Sequence, residues 1–351
     1  AISLHKRVLE ADPSSLGAAE ALERLYRVTE RYGELSAVLQ TKAGILEDLP
    51  LKKEALFQAA SIEEDVLGQA DAAIAVYQKV LEVDPEEVRA IDALVKQYQG
   101  LGRWNDLLAA LAKKADFVAD ADEKKQIFYD VGAVFERELA DGPHAIETYQ
   151  RILEIDPDDV YALSRLDVLY LQSENWTELL TVLTREAELS ADPEDSIAYN
   201  FRIAELYEKR LGDVARAVEL YRDILAQAPS HEATLAALEG IKNGDKEPVA
   251  AAAVLEPVYE AAQAYPQLIS VHEVQVRHAE DPFQKVDLLH RIARLHEDAL
   301  DNPRAAFQSY ARALTLDNGN EETLQNLERV AMTTSQWADV AQLYDAELDK
   351  L

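Results

Sequence analysis

Carboxylates dominate the reactive side chains of this 351-residue chain. There are 66 Asp and Glu against 35 Lys and Arg, a net charge of −31, with seven His and no Cys. Without Cys there is no thiol nucleophile, disulfide framework, Cys-ligated zinc or iron–sulfur cluster. A catalytic carboxylate pair needs one buried, singular site. Here the acids recur at fixed intervals instead. Glu64, Glu136, Glu208 and Glu297 are separated by 72, 72 and 89 residues. Seven residues before each stand Phe57, Tyr129, Phe201 and His290, and between them Ser61, Ala133, Glu205 and Arg294. Offsets of 0, 4 and 7 share one face of a helix. The pattern is therefore a ladder of aromatic and acidic groups suited to contacting a peptide or helix. It does not resemble a proton-transfer centre.

The histidines offer no metal site. His272 and His278 are six apart, as are His290 and His296. Six residues turn a helix by about 600°, whereas helical metal pairs use i, i+3 or i, i+4. No Gly-rich phosphate loop and no Gly-x-Ser-x-Gly elbow occurs. No cofactor is expected. The charge argues against nucleic acid, which is bound through Lys and Arg, and against docking on anionic lipid. No apolar run approaches the roughly 18 residues of a membrane span. By segment the net charge is −5 for residues 1–72, −5 for 73–144, −9 for 145–216 and −12 for 217–351. The acidity is thus spread along the chain.

The elements that position the ladder follow from a repeat. His5 to Pro13 (HKRVLEADP), Tyr77 to Pro85 (YQKVLEVDP), Tyr149 to Pro157 (YQRILEIDP) and Tyr221 to Pro229 (YRDILAQAP) begin 72 residues apart. Tyr310 to Asn318 (YARALTLDN) lies 89 further on. A fixed period over a whole chain marks an array or solenoid. Apolar residues at helical spacing, such as Ile74, Tyr77, Val80 and Leu81, divide each unit into four helices, about 20 in all. Asp-Pro pairs at 12–13, 84–85, 156–157, 192–193 and 281–282 are expected to start helices, with Asp as N-cap and Pro in the first turn. No period-two run or hairpin turn predicts a sheet. Trp104, Trp176 and Trp337 open helices and are expected to pack between hairpins.

The half-units resemble tetratricopeptide repeats, whose pattern is W-x2-L-G-x2-Y, then A-x3-F, then P. Phe128, Val131, Gly132, Phe135, Ala145, Tyr149 and Pro157 occupy those positions in one copy, and Asn200, Ile203, Ala204, Tyr207, Ala217, Tyr221 and Pro229 in the next. Leu56 to Pro85 and Leu289 to Asn318 carry weaker copies. The alternate half-units keep Leu22/Tyr26, Leu94/Tyr98, Leu166/Tyr170 and Leu255/Tyr259 but replace the small residue by Glu23, Val95, Asp167 or Glu256.

The resemblance implies an all-α, right-handed superhelical solenoid of helical hairpins over 1–351. Its units run roughly 5–76, 77–148, 149–220, 221–309 and 310–351. A 17-residue extra helix is expected within 230–264, where His231 to Ile241 and Pro248 to Ala264 look like the same helix twice. The start in mid-hairpin without Met suggests a piece of a longer protein, and the last helix is expected to end near Leu351. The resemblance also implies that the first helix of each hairpin lines a groove for protein partners. On that face the ladder selects basic or amphipathic segments. The Lys/Asn/Arg clamp for chaperone C-termini is missing. The leading reading is a non-catalytic interaction scaffold. An arm orienting a catalytic domain, and an array self-associating through its chain ends, stay open beside it.

Overall fold

The computed structural model describes residues 1–348; the expected end of the last helix near Leu351 lies outside them. Among the described residues there are twenty α-helices and no strand. The chain is an all-α array of antiparallel helical hairpins. It forms two compact units, Ala1–Leu169 and the remainder from Tyr170.

The first unit contains α1 (Ile2–Ala11), α2 (Leu16–Val28), α3 (Tyr32–Ile45), α4 (Leu49–Ser61), α5 (Ala70–Val83), α6 (Val88–Leu101), α7 (Trp104–Phe117), α8 (Ala121–Ala133) and α9 (Gly142–Ile155). The boundary falls within α10 (Val160–Gln172). The second unit continues with α11 (Trp176–Leu189), α12 (Pro193–Leu206), α13 (Val214–Gln227), α14 (Glu232–Lys242), α15 (Pro248–Ala261) and α16 (Tyr265–His278). It is completed by α17 (Pro282–Arg294), α18 (Pro303–Leu316), α19 (Glu321–Thr334) and α20 (Trp337–Leu348). Within each unit, helices adjacent in sequence pack on one another, so the cores are built from local contacts.

The departure from that order is at the extra helix. α13 packs against both α14 and α15, and α15 then pairs with α16. Lys242 of α14 is almost fully buried, with its Nζ 2.6 Å from Glu239 and donating to Ser270 Oγ of α16 at 3.0 Å. An ammonium is withdrawn from water only when paired, and this pair fastens α14 to the following hairpin.

The Asp-Pro pairs correct one expectation. Asp192 and Asp281 do N-cap α12 and α17, accepting from the amides of Glu194 at 2.8 Å and Phe283 at 3.0 Å. Asp12, Asp84 and Asp156 instead terminate α1, α5 and α9 in extended conformation. A residue before Pro is pushed out of the helical region, so these Asp residues close the preceding helix. Each carboxylate then accepts the amide two residues on, from Ser14, Glu86 and Asp158. The next helix starts at Leu16, Val88 or Val160.

One element has no counterpart in the sequence reading. α4, α8, α12 and α17, here called first-type helices, each end in a five-residue π turn: Ile62–Val66, Val134–Glu138, Tyr207–Leu211 and Leu295–Ala299. The widened i→i+5 bonds appear as Leu67 to Ile62 at 3.0 Å, Leu139 to Val134 at 3.1 Å and Leu300 to Leu295 at 3.2 Å.

Candidate functional site: the first-type helix faces

Glu64, Glu136, Glu208 and Glu297 each lie in a π turn, and the ladder aromatic lies two turns earlier on the α-helix. Phe57 and Ser61 are on α4, Tyr129 and Ala133 on α8, Phe201 and Glu205 on α12, and His290 and Arg294 on α17. The aromatic and the acid meet through a third residue that begins each repeated nonapeptide. Tyr77 of α5 donates to Glu64 at 2.8 Å, and its ring centre is 6.3 Å from that of Phe57. Tyr221 donates to Glu208 at 2.8 Å and stands 5.7 Å from Phe201. Tyr310 donates to Glu297 at 3.2 Å and stands 5.5 Å from His290. In the second copy Tyr149 donates to Glu136 at 3.2 Å, and Tyr161 comes between it and Tyr129.

These tyrosines are buried, at 0–7 % exposure. Burial, and after it the neighbouring carboxylates, pushes Tyr77, Tyr221 and Tyr310 well above the usual phenol range. Burial raises Tyr149 to about 12. The hydroxyls are therefore neutral donors to the carboxylates. Each pair ties the end of a first-type helix to the helix that follows it.

Three of the four acids also carry a cation. Lys96 reaches Glu64 at 2.6 Å, Arg165 forms an ion pair with Glu136, and Arg329 binds both Glu297 oxygens at 2.8 Å. Those three carboxylates are 15–16 % exposed. Glu208 has its tyrosine but no ion pair, and Gly240 stands where Lys96 and Arg329 stand in their copies. Glu205 pairs with Lys209 one turn on.

The other ladder positions differ in exposure. Ser61 is exposed and bonds Asp65 at 2.8 Å, and Ala133 is half-buried. Arg294 is exposed and pairs with Glu322 at 2.7 Å. His290 is buried, bonded to Thr323 Oγ1 at 2.7 Å, and burial lowers its pKa below the usual imidazole value. Phe57 is covered by the Arg89 guanidinium, 4.1 Å from the ring centre. Tyr129 donates to Asp159, the residue that caps α10.

The pairing of the repeat tyrosines with the ladder acids, and the lysines at the turns, were not read from the sequence. The ladder tyrosines keep the 72, 72 and 89 spacing, 13 residues after each Glu, so their phase was available. Lys53 and Lys125 are also 72 apart. Lys53 bridges Asp84 and Glu87 at 2.7 and 2.5 Å, and Lys125 bridges Asp156 and Asp159 at 2.8 and 3.4 Å. These lysines neutralise the acidic turns between helices. The tryptophans are unequal: Trp104 is packed against the first core, Trp176 lies under the Arg210 guanidinium, and Trp337 is largely exposed. Among the described residues no three His, Asp or Glu side chains converge to hold a metal, and no helix is long and apolar enough to cross a membrane.

The repeated hairpin, with a small residue where the helices approach and a tyrosine beneath it, defines the class. Gly132 shows the geometry: a Cβ there would come 2.8 Å from the Tyr149 ring. Tetratricopeptide-repeat models match residues 54–86, 198–231 and 162–197. The chain is a tetratricopeptide-repeat-like protein.

Among curated proteins it is 29 % identical over 154 residues to Superkiller protein 3 of Schizosaccharomyces pombe, a match covering 43 % of this chain and 11 % of that one. Among solved structures, MamA has 22 % identity and a TM-score of 0.31, over 48 % of this chain and 94 % of that chain. YrrB, described as a TPR protein with an unusual peptide-binding site, has 18 % identity and a TM-score of 0.31, over 53 % and 91 %. The Naa15/Naa10 complex bound to HypK-THB has 14 % identity and a TM-score of 0.36, over 98 % and 55 %. The assignment rests on the repeat matches and on the hairpins themselves.

Proposed function

We propose that the chain is a non-catalytic protein–protein interaction scaffold whose first-type helix faces hold a peptide or helical segment of a partner, with basic segments preferred. The observation that carries the reading is the ladder's uneven neutralisation. In three copies the acid is answered by Lys96, Arg165 or Arg329. In the π turn after α12, Glu208 bonds Tyr221 but has no ion pair of its own, with Glu205 and the half-buried Phe201 on the helix before it and Lys209 engaged by Glu205. A partner's Lys or Arg would complete there the pair that the chain supplies for itself elsewhere. The tetratricopeptide repeats support a scaffold in general; the preference for basic segments rests on this charge.

The test is titration of a labelled Lys/Arg-rich peptide against the full chain in about 20 mM and about 150 mM salt, where the Debye length falls towards ~8 Å. Glu205→Lys/Glu208→Lys should weaken binding by about tenfold at low salt without changing helicity. Glu136→Gln should leave affinity unchanged, because that carboxylate is engaged by Tyr149 and Arg165. Equal binding to wild type and to the double variant defeats the electrostatic reading.

A further inference from the structure

The first unit contains a groove unrelated to the ladder. It lies between α7, α8 and α9 and encloses about 620 Å³. Its floor is Leu111 and Ile127, both buried, with half-buried Leu108, Phe128, Val131 and Phe135 along it. Around α8 these positions point roughly 160° away from Tyr129 and Ala133, at 3.6 residues per turn. The groove therefore opens on the opposite side of α8 from the ladder. Its lining runs from Lys124 on α8 to Phe135 in the π turn that follows, about 16 Å at 1.5 Å per residue, or three turns of a docked helix.

One end of the groove is electronegative. The C-termini of α7 and α9 meet the N-terminus of α8 there, bringing two negative helix ends against one positive end. Asp116 and Glu154 stand at that end without an ion pair, with Lys124 across from them on α8, while Glu147 and Arg151 further along pair at 3.3 Å. The preceding copy closes the corresponding space. Leu108, Phe128 and Val131 correspond to Ser36, Leu56 and Ala59 in the preceding copy, where α3 and α4 close on each other.

We propose that this groove docks an amphipathic helix of a partner protein, one that presents apolar residues at i, i+3, i+4 and i+7 and a Lys or Arg pair at the end lying over Asp116 and Glu154. The apolar floor supplies the burial, and the rim sets the direction of the bound helix.

The probe is a fluorescein-labelled 18-residue peptide with Leu at those spacings and two Lys in its last turn, titrated against the full chain by anisotropy. A scrambled peptide of the same composition is the control. The ordered peptide should bind at least about tenfold tighter than the scrambled one. Ala112→Phe, from an exposed site on the groove wall, should abolish that difference with unchanged circular dichroism. If Ala112→Phe perturbs the fold, Leu108→Lys replaces it. Asp116→Lys/Glu154→Lys should weaken the ordered peptide about fivefold at low salt and less at high salt. Equal binding of both peptides, or binding indifferent to Ala112→Phe and Leu108→Lys, overturns the proposal. So does a concentration-dependent dimer in sedimentation that Ala112→Phe removes, because the occupant is then a second copy of the chain. None of these variants touches Glu205 or Glu208, so basic-peptide binding on α12 is read separately.

Discussion

α3–α4 and α7–α8 occupy the same place in successive repeats and reach opposite results. At the first, Ser36, Ala43, Ala55, Ala59 and Ala60 are all buried, and Ser36 Oγ comes within 3.5 Å of the Ala59 carbonyl. At the second, the same positions hold Leu108, Ala115, Ile127, Val131 and Gly132, and the helices stand apart around an apolar groove. More apolar volume has produced less burial: Leu56 is 3 % and Ala59 0 % exposed, while their counterparts Phe128 and Val131 are only half-buried. Small side chains let two helix backbones interlock, whereas larger ones prop them apart unless complementary shapes fill the gap.

The largest expected effect is Leu39→Ala, at 1 % exposure within the closed pair. It should cost about 3–4 kcal/mol, because the cavity it leaves is sealed. Leu111→Ala, the same repeat position, should cost about 2 kcal/mol, since its space joins an existing groove. Equal losses in denaturant-dependent hydrogen exchange of α3–α4 and α7–α8 would break the comparison.

Next is Ala59→Leu, which inserts three carbons into the closed interface and should cost about 2 kcal/mol by overpacking. Ala112→Leu on the groove wall should change stability by no more than about 0.5 kcal/mol. A smaller effect belongs to Gly132→Ala. Ala favours a helix by up to about 1 kcal/mol over Gly. The 2.8 Å approach to the buried Tyr149 ring should nevertheless make this change destabilising by about 1 kcal/mol. A rise in thermal stability would show that α8 and α9 are free to separate.

The smallest effect extends the contrast to the fourth copy, where the ladder aromatic is His290. Burial lowers its pKa, against the opposing pull of Glu322 and Asp287 and with the support of Arg294. The unfolded chain then binds the proton more readily. This contribution is fully present above pH of about 6.5 and is lost as the pH falls below it. Hydrogen exchange of α17 and α18 should accelerate between pH 7 and pH 5. The acceleration should be smaller in His290→Phe, which restores the residue of the first and third copies.

Much of the fold was legible because helical spacing and the 72-residue phase are properties of the chain. The hairpins, the number of helices and the tyrosine position all follow from them. The Asp-Pro turns were legible only in part: the same dipeptide caps α12 and α17 but ends α1, α5 and α9. The deciding factor is the extended conformation that Pro imposes on its predecessor when a helix is already running into it. The ladder was found as a set of positions, but its chemistry was not. Offsets of 0, 4 and 7 assume an unbroken α-helix, and the π turns rotate Glu64, Glu136 and Glu297 towards Tyr77, Tyr149 and Tyr310. Lys96 and Arg329 share a repeat position, whereas Arg165 answers Glu136 from one turn earlier, so periodicity alone could not pair all three.

By itself the sequence determined the class of protein, the size of its repeat, where that repeat is interrupted and the excess of acid over base. Those features are local, and helices need only their own spacing and caps to declare themselves. Tertiary structure decided which acids gain an ion pair and which, like Glu208, do not. It also decided that α3 and α4 close while α7 and α8 leave a groove. Both outcomes depend on how side chains from different helices share space, and a one-dimensional pattern does not contain that quantity.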